Sequence, residues 1–227
     1  MNKITTKDVM TMVQGVKDFN IVMGNDLTNK ELTQTYFDLT KEEFSGSGEY
    51  YQSYLHNHKD GILDGMIDLV FTSVAWYLLQ GYTFKEEYIE RLLTIEADMT
   101  TLQTDVEDLG RLINRGLSYY TVNTLIRILG KTSVQEQFNI MGGFKNILES
   151  NMSKVILDGE LDIEEELKLI ESKCRYKDIT VQEVINGGNV YLAFKAGEDT
   201  ENNVKFKAPK IIKTSLFKEP ELGEFIY

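Results

Sequence analysis

The sequence predicts a mostly α-helical protein: a helical bundle over residues 1–172, then a small antiparallel β element and an extended tail over 173–227. Three observations predict it. Proline is confined to Pro209 and Pro220, so everything before Lys207 lacks the strongest helix breaker. Apolar residues recur at steps of three and four up to about Ile170. After about Arg175 the pattern changes to short runs rich in β-branched and aromatic residues, split by the turn residues Gly187-Gly188-Asn189.

The elements follow in order. Val9, Met10, Met12, Val13, Val16 and Phe19 predict a first helix. Asn25-Asp26 and Thr28 offer N-caps for a second, running to about Phe44, and Ser45-Gly46-Ser47-Gly48 ends it. Asp60-Gly61 opens an apolar helix that reaches Gln80 and stops at Gly81. Tyr88, Leu92, Ile95, Met99, Leu102, Val106, Leu109 and Ile113 then form a heptad-like seam, weakened by Thr100-Thr101 and Gly110. The seam predicts one long helix, packed within the chain or forming a subunit interface as well. Shorter helices are expected near Ser118–Leu129, Ser133–Ile140 and Gly143–Asn151. Val181, Val184, Val190, Leu192, Phe194, Val204 and Phe206 supply the strands, and the tail extends from Ala208.

Composition bounds the function. The chain has 227 residues, 24 Lys+Arg and 36 Asp+Glu, a net charge of −12. A chain of this length buries roughly 70% of its unfolded surface and needs no disulfides. The acidic balance argues against general nucleic-acid binding and against an anionic membrane surface. The single cysteine, Cys174, excludes an internal disulfide and a cysteine-based zinc site, which fits a reducing, cytoplasmic compartment. The N-terminus lacks the apolar stretch of a signal peptide. Ile62–Leu79 is the most apolar segment, and Asp64 and Asp68 within it argue for a buried helix of a soluble protein rather than a membrane span.

Asp64 and Asp68 are also the strongest chemical signal. Four residues apart, they project from one face of an otherwise apolar helix. Two such carboxylates repel each other and lose hydration on burial. A divalent cation removes both costs, and oxygen ligands suit Mg²⁺ or Mn²⁺. The alternative is a solvated edge, or pairing with Lys or Arg. Asp38, Glu42 and Glu43 form a second acidic cluster on the preceding helix, which a helix hairpin would set opposite the first. His56-Asn57-His58-Lys59-Asp60 matches the start of the metallo-β-lactamase HxHxDH signature, but Gly61 stands where the next His is required and the chain has only two His. No phosphate-binding GxxxxGK[ST] loop is present, and Cys174 has no downstream His to activate it. Lys205, Lys207, Lys210, Lys213 and Lys218 make a basic run that either stays solvated or docked, or folds back to offer lysines to phosphates.

These residues together resemble the all-α nucleoside triphosphate pyrophosphohydrolases, in the phage-encoded MazG-like, phosphoribosyl-ATP-pyrophosphohydrolase-like branch. Val16-Lys17-Asp18-Phe19-Asn20 resembles the opening DVxxFH, with Asn20 where His is usual. Phe37 to Phe44 resembles the first metal motif, Leu63 to Asp68 the second in its LDxxxD form, and Asn151-Met152-Ser153-Lys154 the NMSK segment. Ile212 to Leu222 resembles the tail. The resemblance covers about half of the chain, at both ends. Two departures stand out: the third glutamate of the first motif falls at Gly46, leaving Glu49 or Asp38 to replace it, and residues 85–142 read as an inserted helical segment.

The resemblance implies an all-α NTP-pyrophosphohydrolase-like bundle that converts (d)NTP to (d)NMP and pyrophosphate in phage nucleotide metabolism, in the host cytoplasm. Glu42, Glu43, Asp64 and Asp68 would hold Mg²⁺ or Mn²⁺ and carry catalysis; Asn151, Lys154 and Lys213 would bind substrate. It also implies a homo-oligomer, dimer or tetramer. The alternative is a catalytically impaired protein on the same scaffold that binds a nucleotide or a host protein.

Overall fold

A computed structural model of the chain describes residues 3–45, 50–96, 99–135 and 138–227. They form two compact units: Met1–Asp18, Asp26–Ile147 and Glu221–Tyr227 in one, Phe19–Asn25 and Leu148–Pro220 in the other. The fold is mostly helical with a small antiparallel sheet, the class the sequence predicts.

The first unit is helical. Helix α1 (Thr6–Val22) starts at a reciprocal cap. The Asp8 carboxylate accepts the Thr5 N–H at 2.8 Å, and the Thr5 hydroxyl accepts the Asp8 N–H at 3.2 Å. The second helix begins later than its cap residues suggest. Asp26 accepts from the Thr28 N–H and Asn29 from the Glu31 N–H, so both side chains serve turns. A 3₁₀ turn at Lys30–Leu32 intervenes before α2 (Thr33–Ser45). The short α3 (Tyr50–Leu55) leads to α4 (Lys59–Leu79), which Gly81, at φ +85°, terminates. Helix α4 is the one helix among the described residues long and apolar enough to cross a bilayer. Its apolar window is 83% buried inside its own chain, which makes it the core helix.

The seam does not form one long helix. Helix α5 (Glu86–Arg91) runs into a π turn (Leu92–Glu96), and α6 (Leu102–Asn114) starts afresh. The cause is the threonine pair. The Thr101 hydroxyl accepts the Thr104 N–H at 3.1 Å as an N-cap, and Thr100 donates to the Asp105 carboxylate. Leu92, Val106, Leu109 and Ile113 are nonetheless buried within the chain, so the seam packs intramolecularly; Met99 is exposed. Gly110 has a packing reason: a Cβ there would stand 2.6 Å from the Phe44 ring. A single helix, α7 (Ser118–Gln135), replaces the first predicted short helix and absorbs the start of the next. Phe138 instead bridges to Ile226, and the Asn139 N–H donates to the Phe225 carbonyl at 2.8 Å. Helix α8 (Ile140–Met152) follows.

The second unit is built on β4 (Asn189–Asp199). One side of β4 pairs with β2 (Tyr176–Lys177) and β3 (Thr180–Asn186), end to end. The other pairs with β1 (Val155–Leu157) and β5 (Val204–Ile211), all antiparallel. The Asn186↔Asn189 register leaves Gly187 and Gly188 as a two-residue loop, with φ +60° and +84°, the positive values that hairpin turn requires. Strand β1 precedes the stretch where the sequence predicts β structure. One sheet face packs Leu192, Phe194 and Ala196 with Ile156, Ile212 and, from α9 (Ile163–Ser172), Ile170. The other packs Ala193 and Val155 with Val22 and Met23 from the end of α1. The tail is extended only after Ile211, because Lys205 to Lys210 belong to β5.

Candidate functional site

The acidic helices α2 and α4 pack together as an antiparallel pair. The Phe37 and Trp76 rings lie 5.2 Å apart, and Lys30, just before α2, donates its ammonium to the Leu79 carbonyl at the end of α4. Reversed order along the two segments, 30 with 79 and 37 with 76, sets the direction. Helix rise then places Glu43 about 9 Å from the Phe37 level and Asp68 about 12 Å from the Trp76 level, in the same direction. Glu43 and Asp68 therefore sit at neighbouring levels of the pair.

Burial sorts the carboxylates. On α2, Tyr36, Thr40 and Phe44 are buried one turn apart and fix the inward face. Asp38 and Glu42 fall on the opposite side and are exposed; Glu43 flanks the inward face and is half-buried. Asp38 also accepts a hydrogen bond from Gln34 at 2.9 Å. On α4, Leu63, Met66 and Ile67 are fully buried, while Asp64 and Asp68 are half-buried. Asp60, one turn earlier and exposed, continues their stripe. The four-residue spacing of Asp60, Asp64 and Asp68 was available in the sequence, but Asp60 reads there as a helix-opening residue. Glu43, Asp64 and Asp68 each have a polar or electrostatic partner. Gly46 and Glu49 lie outside the described residues.

Among the described residues, no three His, Cys, Asp or Glu side chains form a group able to hold a metal ion. A three-ligand cage is not what Mg²⁺ needs. It binds through one or two carboxylates and completes its shell with water and phosphate oxygens. The half-buried Asp64–Asp68 pair fits that donor set.

The three residues expected to bind substrate lie in the second unit. The Lys154 ammonium donates to the Asn151 side-chain oxygen at 2.6 Å, so these two half-buried residues hold one another at the end of α8. The tail reaches the same turn: the Lys218 N–H donates to the Ser153 hydroxyl at 2.9 Å, and its ammonium to Glu149 at 2.8 Å. That contact raises the Lys218 pKa and lowers that of Glu149, though both groups face solvent. Lys213 pairs with Glu219 at 2.8 Å and stands 4.1 Å over the Phe217 ring. The Glu166 carboxylate of α9, buried, accepts both the N–H and the hydroxyl of Ser215 and anchors this segment. Asn20, in the position of the usual histidine, is buried.

Comparison with family models, with curated proteins and with solved structures finds no match for this chain.

Proposed function

We propose that this protein is a divalent-metal-dependent nucleoside triphosphate pyrophosphohydrolase, acting on (d)NTP in phage nucleotide metabolism within the host cytoplasm. What supports the reading is the packing of α2 on α4, with half-buried Glu43 and half-buried Asp68 at neighbouring levels and Asp64 one turn further along α4. An acidic surface of this kind cannot take a polyphosphate unaided, because the charges repel.

Asp64 and Asp68 would hold Mg²⁺ or Mn²⁺, with Glu43 beside them and Glu42 at the solvent edge. When bound, the cation supplies charge neutralisation for the triphosphate and Lewis acidity at the phosphorus under attack. The apolar neighbours Leu63, Met66 and Ile67 fix the aspartate-bearing turn, so the carboxylates are oriented before substrate arrives. A carboxylate oxygen of this group accepts the proton of the attacking water. The new bond forms from the water oxygen to the α-phosphorus, the bond to the bridging oxygen breaks, and pyrophosphate leaves. The resemblance assigns substrate contact to Asn151, Lys154 and Lys213, and within their own unit the Asn151 side chain limits the freedom of the Lys154 point charge.

The test is pyrophosphate release from a panel of NTPs and dNTPs with Mg²⁺ or Mn²⁺, beside the near-isosteric Asp68→Asn. Metal-dependent multiple turnover that falls at least about 100-fold in the variant supports the reading. Unchanged turnover removes Asp68 from the site, and no turnover on any nucleotide favours a binding protein on this scaffold.

A further inference from the structure

The sheet of the second unit leaves one long edge open. Among the described residues β3 pairs with β4 alone, so its outer row of backbone N–H and C=O groups has no strand beside it. Proteins blunt such edges with lysine, proline or a bulge. The opposite long edge has all three: β5 contains Lys205, Lys207, Pro209 and Lys210, and its register on β4 shifts between Ala196 and Glu198. Strand β3 has none of them. Its residues pair with β4 without a break in register, and Val181, Val184 and Ile185 are strong strand formers. Ile185 is 74% exposed, more than any other Ile, Leu or Val described.

The side chains of β3 define what an added strand must carry. Val181, Glu183 and Ile185 share one face, opposite Phe194, Leu192 and Val190 of β4. From Thr180 round the hairpin to Phe194, Glu183 is the only charged residue, and it is exposed. Among the described residues it has no ion pair. Two cations of the neighbouring ladder are engaged or turned away: Lys177 pairs with Glu198 at 3.2 Å, and Lys195, opposite Thr180, belongs to the other face. Cross-strand neighbours favour opposite charges and aliphatic pairs, and like charges directly opposite destabilise. A complementary strand therefore sets lysine or arginine beside Glu183 and an aliphatic residue beside each of Val181 and Ile185. A second copy of β3 fails that requirement. Glu183 is the central residue of the strand, so antiparallel self-pairing along its whole length sets Glu183 against Glu183. The net charge of −12 also repels a second copy and attracts a cationic segment.

We propose that the β3 edge takes up an extended cationic segment of a partner protein as an added strand, with the alternation aliphatic, polar, Lys or Arg, polar, aliphatic. The proposal stands independently of the proposed hydrolysis. Main-chain bonds along the edge supply affinity, and the Val181, Glu183 and Ile185 positions supply selection. Its test uses the full chain and a labelled, end-blocked heptapeptide, Thr-Ile-Thr-Lys-Thr-Ile-Thr, titrated by fluorescence anisotropy, with amide exchange at β3 followed in parallel. The expected result is saturable binding with a Kd below about 1 mM and added protection of the β3 amides. Glu183→Lys, its fold checked by far-UV circular dichroism, weakens binding at least about fivefold, and the peptide with Glu in place of Lys restores it. Ile185→Thr, which keeps strand propensity, weakens it at least about threefold. A peptide with proline at the two positions flanking its lysine keeps the charge and both isoleucines but cannot donate to a ladder, and it does not bind. The absence of saturation up to about 1 mM overturns the proposal. So does equal binding of the proline peptide, or wild-type affinity in either protein variant. Protection of β3 in the protein alone that fades on dilution assigns the edge to a second copy and overturns it as well.

Discussion

At the residue scale, the clearest commitments of this chain are two buried or clustered carboxylates outside the candidate site. Asp105 is fully buried and accepts from Arg127 at 3.0 Å, from Lys131 and from Thr100. Lys131 is itself buried, so removing the shared carboxylate strands a cation in a low-dielectric interior. Asp105→Ala is expected to lower unfolding free energy by roughly 3–5 kcal/mol in urea denaturation; a loss below about 1 kcal/mol would show that the pair is not shielded from water. Asp199 gives a pH prediction. Its hydrogen bond from Arg175, reinforced by Asn202, lowers its pKa from 3.8 to about 2. A depressed carboxyl pKa stabilises the folded state above the unfolded value and loses that contribution as pH falls through the folded one. The end of the β4–β5 hairpin should therefore hold at pH 4 and above and loosen between about pH 4 and 2, read as a loss of amide protection at Glu201 and Asn202 relative to the intrinsic exchange rate at each pH. Protection that does not change over that window would contradict the assignment. The sequence exposed Asp64 and Asp68, because acids on an apolar helix stand out locally. It could not expose the Asp105–Lys131 pair, whose partners are 26 residues apart and meet only through packing.

At the element scale, periodicity located the helices, and local chemistry set their ends. The three-and-four spacing identified α1, α4 and α8, but it ran straight through Thr100 and Thr101. A threonine in mid-pattern is compatible with a continuing helix and with a cap, and the Thr101–Thr104 bond decides for the cap. Gly110 looked like a weakness of the seam. In the structure it is the point where α6 admits the Phe44 ring, itself packed on Tyr51 at 5.4 Å. Gly110→Ala gains about 1 kcal/mol of helix propensity but places a methyl within 2.6 Å of that ring. Overpacking of a buried ring costs about 1–3 kcal/mol, so the substitution should destabilise or at best break even. A rise in thermal midpoint of more than a few degrees would mean that Phe44 yields freely. Strand β1 escaped the sequence because it has three residues, too few for a period, directly after a helix. The Gly187-Gly188 hairpin was legible because its turn chemistry is local.

At the scale of the whole molecule, charge and composition were informative about class and silent about activity. The mostly helical fold with a small sheet follows from proline placement and the change of pattern near Arg175. What no local pattern contains is association across the chain, such as the end of α1 packing Val22 and Met23 against Val155 and Ala193. The candidate site shows the same division. Its acidic motifs and their order are in the sequence, while the packing of α2 on α4, with Glu43 half-buried and Glu42 on the solvent side, comes from the fold. In the function we propose, this helix pair carries metal-dependent hydrolysis of a nucleoside triphosphate. Pyrophosphate release from the NTP and dNTP panel by wild type and Asp68→Asn, with Mg²⁺ and with chelator, decides it. The expected result is turnover that needs the metal and falls at least about 100-fold in the variant. Turnover of equal rate in both proteins, or none with any nucleotide and metal, would contradict it.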